Sequence, residues 1–286
     1  MKHYLKLMRV PHYVKNLLVF AALACSGQMF QPEKLLSCAI AFAAFCATSS
    51  AVYIINDIRD KDKDSKHPTK CHRPIACGAV SVKAAWVLAA VLLLIAVGCS
   101  LWLAHTTASL LLLTYLGINL AYSFGLKNIP ILDVAILVAG FLIRVLYGAM
   151  VTDIVISNWL YFTVIAISFY LALGKRRNEL KQVGSGDTRR VLTAYSIPFL
   201  DKSMGMFLTL TNVFYALWSV DENTVSFYDN RYLILTVPLV FLITLKYSLT
   251  IEKDSDGDPV EVLFHDKYLL LLCLFYLVTM MAILYL

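Results

Sequence analysis

The stretch LLSCAIAFAAFCATSSAVYIINDIRDKDKD, residues 35–64, decides how the chain is read. From Leu35 to Asn56 it is apolar or small and, as a helix rising 1.5 Å per residue, long enough to cross a hydrocarbon layer of roughly 30 Å. It then turns abruptly into acids and bases. Asp57, Asp60 and Asp64 recur at i, i+3 and i+7, a spacing that stacks three carboxylates on one face of a continuous helix. Like charges so placed repel unless a cation neutralises them. Mg²⁺ suits such a site, because it takes oxygen ligands, keeps waters and bridges a few carboxylates to substrate phosphates. Asn56 offers a neutral oxygen one residue earlier. The expected metal ligands are therefore Asn56, Asp57, Asp60 and Asp64, with the three acids catalytic. The plainer alternative is a solvated loop in which Lys61, Lys63 and Lys66 balance the acids. Acids at the mouth of a membrane span favour the metal reading. Whether Asp62 joins them or faces solvent stays open.

The composition around this stretch agrees with a membrane protein. Of 286 residues 59% are hydrophobic and 15% charged, and mean hydropathy is +0.71. Soluble domains are nearer 45–50% apolar and about 25% charged. A soluble enzyme, a disordered chain and a fibrous one are excluded on that ground. Apolar runs near 14–30, 35–56, 82–104, 107–124, 131–151, 157–174, 199–219, 231–251 and 267–285 predict an all-α polytopic protein with nine transmembrane helices. The first run lacks a cleavage site for a signal peptide and is expected to be retained as a span. Of the 25 Lys and Arg, all but Lys34, Arg144 and Arg231 lie near the N-terminus, in the loops after the even-numbered runs or in the run ends that flank those loops. That bias predicts a multi-pass protein with its N-terminus and charged loops in the cytoplasm, and the membrane is expected to be the inner or plasma membrane of the cell. It accounts for the net charge of +6 without a nucleic-acid partner.

Seven cysteines show no CxxC spacing and read as reduced thiols in apolar helices. His67, Cys71, His72 and Cys77 lack the short ligand spacing of a zinc site. Asp254, Asp256 and Asp258 mimic part of a calcium loop but lack its glycine and terminal glutamate in register. Other polar residues are better candidates. Lys70 and Arg73 follow the acid run and offer phosphate a point charge and a planar fork. Tyr122 and Lys127 end the fourth run, and Asp133 opens the fifth. Arg144 lies inside a span, where a charge needs a polar cavity or an internal acid such as Asp133 or Glu179. Lys175, Arg176 and Glu179 end the sixth run as a basic cap or an anion grip. Lys15 and Asn16 stand near the start of the first.

Asn56-Asp57-x-x-Asp60-x-x-x-Asp64 at the end of a second span resembles the first signature of the UbiA superfamily of integral-membrane prenyltransferases. Pro11-His12-Tyr13-Val14-Lys15-Asn16, Arg73-Pro74-Ile75-Ala76, the segment Tyr122 to Lys127, and Gly174-Lys175-Arg176 with Glu179 are similar to one branch, the decaprenyl-phosphate phosphoribosyltransferases. Two departures stand out. Tyr13 occupies a place where that branch is expected to have Trp. The second Asp-rich motif, of DxxxD type, is missing, since Asp133 is followed at i+4 by Leu137.

The resemblance implies a single domain over 1–286 with cytoplasmic catalytic loops near 57–81 and 175–198. It implies Mg²⁺-dependent transfer of 5-phosphoribose from phosphoribosyl diphosphate to a polyprenyl phosphate, a step in building cell-envelope arabinan. The implied substrate-binding residues are Lys15, Asn16, Lys70, Arg73, Tyr122, Lys127, Asp133, Arg144, Lys175, Arg176 and Glu179. The alternative is a conventional member that moves an isoprenyl group from its diphosphate to an aromatic acceptor, against which the missing second motif argues. A transporter would spread ionisable residues through several spans, whereas these cluster at the ends. Oligomeric state, including a homo-oligomer, is left open.

Overall fold

A computed structural model describes residues 2–66, 70–181, 190–228, 231–252 and 257–286. His67, Asp254 and Asp256 of the discounted zinc and calcium patterns lie outside the described residues. Among those described, every regular element is helical.

The chain starts with α1 (Lys2–Met8), turns at Arg9, and continues as a 3-10 segment (Val10–Phe20) closed by a single α turn, α2 (Ala21–Ala24). Pro11 has no N–H to give and suits the start of that segment. Where the first span was expected, the structure has a shorter apolar and mostly 3-10 stretch, Val10–Ala24. α3 (Pro32–Arg59) begins with proline at its first turn, where a missing N–H costs nothing, and ends when Asp60 leaves helical geometry at ψ 7°. The next four residues form α4 (Lys61–Asp64). The continuous acidic face expected over Asp57, Asp60 and Asp64 is therefore broken at its middle member.

α5 (Val82–Leu103) is capped by Ser81, which accepts from the Ala84 N–H at 3.2 Å, and ends at Ala104 in the left-handed region. α6 (Thr106–Phe124) is capped by the His105 ring and stops at Gly125, φ +148°. α7 (Leu132–Val151), α8 (Asn158–Lys181), α9 (Ile197–Val220), α10 (Glu222–Tyr228), α11 (Val237–Ile251), α12 (Pro259–His265) and α13 (Lys267–Tyr285) complete the chain.

Seven of the described helices are long and apolar enough to cross a membrane: α3, α5, α6, α7, α9, Tyr232–Ile251 and α13. Nine were expected. The first run falls short in length. α8 is long enough, but Asn158, Tyr161, Thr163, Ser168 and Tyr170 dilute its apolar stretch before Lys175-Arg176-Arg177-Asn178-Glu179 begins.

The chain divides into two compact units. Unit 1 comprises Met1–Leu23, Met29–Lys127 and Ile143–Ile154, and unit 2 comprises Ala24–Gln28, Asn128–Leu142 and Val155–Leu286. In lipid no hydrophobic force drives helices together, so close approach through small residues matters. Unit 1 follows that rule. α3 buries Ala41, Ala44, Ala47, Ser50 and Ala51, and α5 buries Ala85, Ala89 and Ala96 along one face against it. Gly148 shows the closest approach, because a Cβ there would lie 1.7 Å from the Val19 carbonyl oxygen. Unit 2 is built on α8 packed against α9, with α11 and α13 beside them. Its core gathers Tyr170, Leu173, Leu200, Met204, Ile251 and Leu269.

Candidate functional site

The acids of unit 1 are held by arginine and lysine. Asp57, on the last turn of α3, is 3% exposed, and its Oδ1 accepts from Arg9 Nη2 at 2.8 Å and from Arg73 Nη1 at 3.0 Å. The same Arg73 nitrogen donates to Asp64 Oδ2 at 2.7 Å. Asp60 turns away to Lys127 Nζ at 3.1 Å. Arg73 is placed by a loop whose Ile75 and Val80 are buried in the unit 1 core and whose Pro74 carbonyl accepts from the Val80 N–H. Arg9 lies 4.6 Å above the Tyr53 ring. Arg59 points elsewhere, over Phe124 at 4.5 Å, and Asp62 is exposed.

Among the described residues no three His, Cys, Asp or Glu side chains stand together as ready-made metal ligands. The donor chemistry nevertheless fits Mg²⁺. Asp57 Oδ1 and Asp64 Oδ2 already converge on one cationic nitrogen. A cation there would have two carboxylate oxygens, with remaining positions for water and phosphate.

Deeper in unit 1 lies a second polar group. Arg144, 6% exposed, donates from Nε to Asn16 Oδ1 at 2.9 Å and from Nη2 to the Tyr115 hydroxyl at 3.1 Å. Its guanidinium lies 4.8 Å from the Phe45 ring centre and 5.0 Å from that of Tyr115. Asn16, 1% exposed, donates in turn to Cys46 Sγ and Ser49 Oγ. Asp133 and Glu179, the acids considered as partners for Arg144, are bound by Arg176 instead. Lys15, Lys70 and Tyr122 are half-buried in unit 1.

Unit 2 carries its own cluster at the end of α8. Arg176 donates from Nε to Asp133 at 2.5 Å and from Nη1 to Glu179 at 2.8 Å, and the Arg176 and Asp133 side chains are 1% and 0% exposed. The Tyr195 hydroxyl donates to Asp133 at 2.6 Å and accepts from the Ile131 N–H at 2.6 Å. Burial and the adjacent Asp133 carboxylate push the Tyr195 phenol up to about 12. Ile131 holds φ 69°, costly for a β-branched residue, and its N–H bond to Tyr195 helps to fix it there.

Lys175 pairs with Asp258 at 2.9 Å, Arg177 with Asp201 and with Glu252, and the Asn178 amide donates to the Ile251 carbonyl. Gly257, φ +74°, lets the Asp258 segment lie against α8, where an added Cβ would stand 3.0 Å from the Lys175 Cα. The basic end of α8 is thus a hub that ties unit 2 together.

The model of the family described as UbiA prenyltransferase matches residues 17–265. The chain belongs to that family. With its seven apolar helices this makes it an integral membrane protein. Two curated relatives are both named decaprenyl-phosphate phosphoribosyltransferase. The one from Corynebacterium glutamicum is 33% identical over 94% of this chain and 83% of its own. The one from Mycolicibacterium smegmatis is 32% identical over 98% of this chain and 92% of its own. The fold resembles a solved UbiA homolog from Archaeoglobus fulgidus bound to GPP and Mg²⁺, with a TM-score of 0.73 at 17% identity over 99% of both chains.

Within this UbiA chain the structure gathers Asp57, Asp64 and Arg73 as one network in unit 1, with Asp60 and Lys127 as a separate pair, and Asp133, Arg176 and Glu179 as a network in unit 2. Sequence reasoning missed Arg9, Tyr195, Arg177, Asp201, Glu252 and Asp258. A signal existed for α8. Residues 175–178 are consecutive, and at 100° per residue they face every side of the helix, so they cannot all serve one ligand.

Proposed function

We propose that this UbiA protein transfers 5-phosphoribose from phosphoribosyl diphosphate to a polyprenyl phosphate, giving polyprenyl-phosphoryl-5-phosphoribose. The observation that carries the reading is the end-to-end likeness to the two curated phosphoribosyltransferases. The unit 1 network supplies a chemistry consistent with it. Asp57 and Asp64, with Asn56 and Asp60 beside them, would hold Mg²⁺. When bound, Mg²⁺ supplies positive charge that stabilises a departing diphosphate.

The chain's own residues do the rest. Arg73, Lys70 and Lys127 offer phosphate oxygens a planar fork and two point charges. The ribose C1–O bond to diphosphate breaks with its electron pair going to the diphosphate. The polyprenyl phosphate oxygen forms the new bond at C1. That oxygen is already anionic near neutral pH, since the second pKa of a phosphomonoester is about 6. No strong general base is needed, and catalysis rests on positioning and electrostatics.

Arg144 and Asn16 inside unit 1, and Lys15 at its edge, are proposed for the lipid phosphate. In unit 2, Lys175 and Arg176 are proposed as phosphate contacts, with Asp133 and Glu179 orienting Arg176. The reading keeps nine membrane segments, counting α8 and Val10–Ala24, with the N-terminus and the acids on the cytoplasmic side. Accessibility of single cysteines at positions 63 and 153 to an impermeant thiol reagent tests that orientation, in a background whose native cysteines are replaced.

The deciding experiment incubates purified protein with Mg²⁺, polyprenyl phosphate and labelled phosphoribosyl diphosphate. Label in the lipid phase that disappears with EDTA supports the reading. No transfer, together with turnover of an isoprenyl diphosphate and an aromatic acceptor, replaces it with conventional prenyl transfer.

A further inference from the structure

Arg9 has no place in the sequence motifs, yet its position is tightly enforced. Its backbone sits at φ 54°, ψ 46°, a left-handed conformation that a non-glycine residue adopts only when its surroundings hold it there. Those surroundings are visible. Leu7 is fully buried, Lys6 Nζ donates to the His72 carbonyl at 3.2 Å, and Ser50 Oγ donates to the Met8 carbonyl at 2.9 Å. The N-terminal arm is thereby fixed to α3 on one side and to the loop carrying Arg73 on the other. The result is that two guanidinium groups meet on a single oxygen, Asp57 Oδ1.

Two like charges crowd there only because Asp57 and Asp64 neutralise them. Two arginines and two aspartates give a local charge of zero. A divalent cation arriving alone would leave an excess of two positive charges in a partly buried site. A diphosphate arriving with it would remove the excess. Both arginine side chains are partly exposed, 23% for Arg9 and 27% for Arg73, so they can turn without a large change in hydration. Arg9 already lies over the Tyr53 face while it holds Asp57, so part of its stabilisation does not depend on that carboxylate.

We propose that Arg9 and Arg73 are internal counter-cations that occupy Asp57 and Asp64 until a metal–diphosphate pair displaces them. Arg9 then turns its fork onto the diphosphate oxygens, so metal and diphosphate bind together and the metal alone binds poorly. This makes Arg9 a binding residue that couples two ligands, and it rests on the metal reading of the acid cluster.

The test is calorimetric titration of the purified full-length protein with Mn²⁺ alone and with preformed Mn²⁺–diphosphate. Wild type should bind the pair at least about tenfold more tightly than Mn²⁺ alone. Arg9→Gln removes the competitor, so it should tighten Mn²⁺ alone several-fold and weaken the pair. Arg9→Lys keeps the charge without the fork and should restore the poor binding of Mn²⁺ alone. An Arg9→Gln protein that binds Mn²⁺ more weakly, or binds both as wild type does, overturns the proposal and leaves Arg9 as a prop for Asp57. Asp57→Asn separates the two readings. If wild type binds the pair no better than Asp57→Asn does, the metal assignment itself fails. If binding depends on Asp57 but not on Arg9, only the coupling fails. A thermal unfolding midpoint for each variant guards against misfolding, and Arg9→Lys carries the test if Arg9→Gln does not fold.

Discussion

Asp57 in unit 1 and Asp133 in unit 2 are both buried carboxylates bound by arginine, but their partners live in different surroundings. Asp57 is held by Arg9 and Arg73, whose side chains are 23% and 27% exposed. Asp133 is held by Arg176, which is 1% exposed, and by the Tyr195 hydroxyl. A partly exposed arginine can exchange its carboxylate for water or for an incoming anion. A buried one has no water to turn to, and losing one of its carboxylates leaves its charge less well compensated in the interior. The same pairing of residue types therefore makes an exchangeable site in one unit and, in the other, an arginine held in one orientation by its acids.

The contrast is sharpest for stability. Asp133→Asn leaves the buried Arg176 charge with Glu179 but without Asp133 and should cost about 3 kcal/mol, the low end for a broken buried pair, read as a lowered unfolding midpoint in detergent. Asp57→Asn should leave that midpoint close to wild type, because Arg9 and Arg73 can rehydrate. Its effect belongs to turnover, where phosphoribosyl transfer should fall at least ~100-fold, or about 2.7 kcal/mol of barrier. If instead Asp57→Asn unfolds the protein and Asp133→Asn silences it without unfolding, the assignment of roles is reversed.

Gly148→Ala tests the packing beneath the unit 1 site. Its new methyl would meet the Val19 carbonyl, so the 3-10 segment must shift, at roughly 1–3 kcal/mol. Differential scanning of the purified variant measures this. The smallest effect is expected of Tyr195→Phe. It removes one donor from Asp133 and the acceptor of the Ile131 N–H, worth about 1 kcal/mol, and should leave the Arg176 pair in place. A loss as large as that of Asp133→Asn would mean that Tyr195 rather than Arg176 holds Asp133 in place.

Much of this was legible in residues 35–64. Length and apolarity specify a span whatever surrounds it, because a backbone in lipid must satisfy its own hydrogen bonds. The acid spacing marked Asp57, Asp60 and Asp64, and the spread of Lys and Arg ordered the loops. The proposed chemistry assigns its metal to those same residues. Hydropathy could not show that Val10–Phe20 coils as a 3-10 segment, since that depends on Pro11 and on the left-handed turn at Arg9. Nor could it show that the helix stops at Asp60, which sends Asp60 to Lys127 and leaves Asp57 and Asp64 to share Arg73.

What the sequence determined by itself is the class of protein and the residue types at its polar ends, because those follow from local composition and periodicity. Only the tertiary structure decided which base meets which acid, and how much water each pair keeps. The partners of Asp57 come from 48 and 16 residues away and that of Asp133 from 43, and no local pattern carries such distances. Burial then set the outcome, since the energy of a charge pair depends on the dielectric around it more than on the residues that form it.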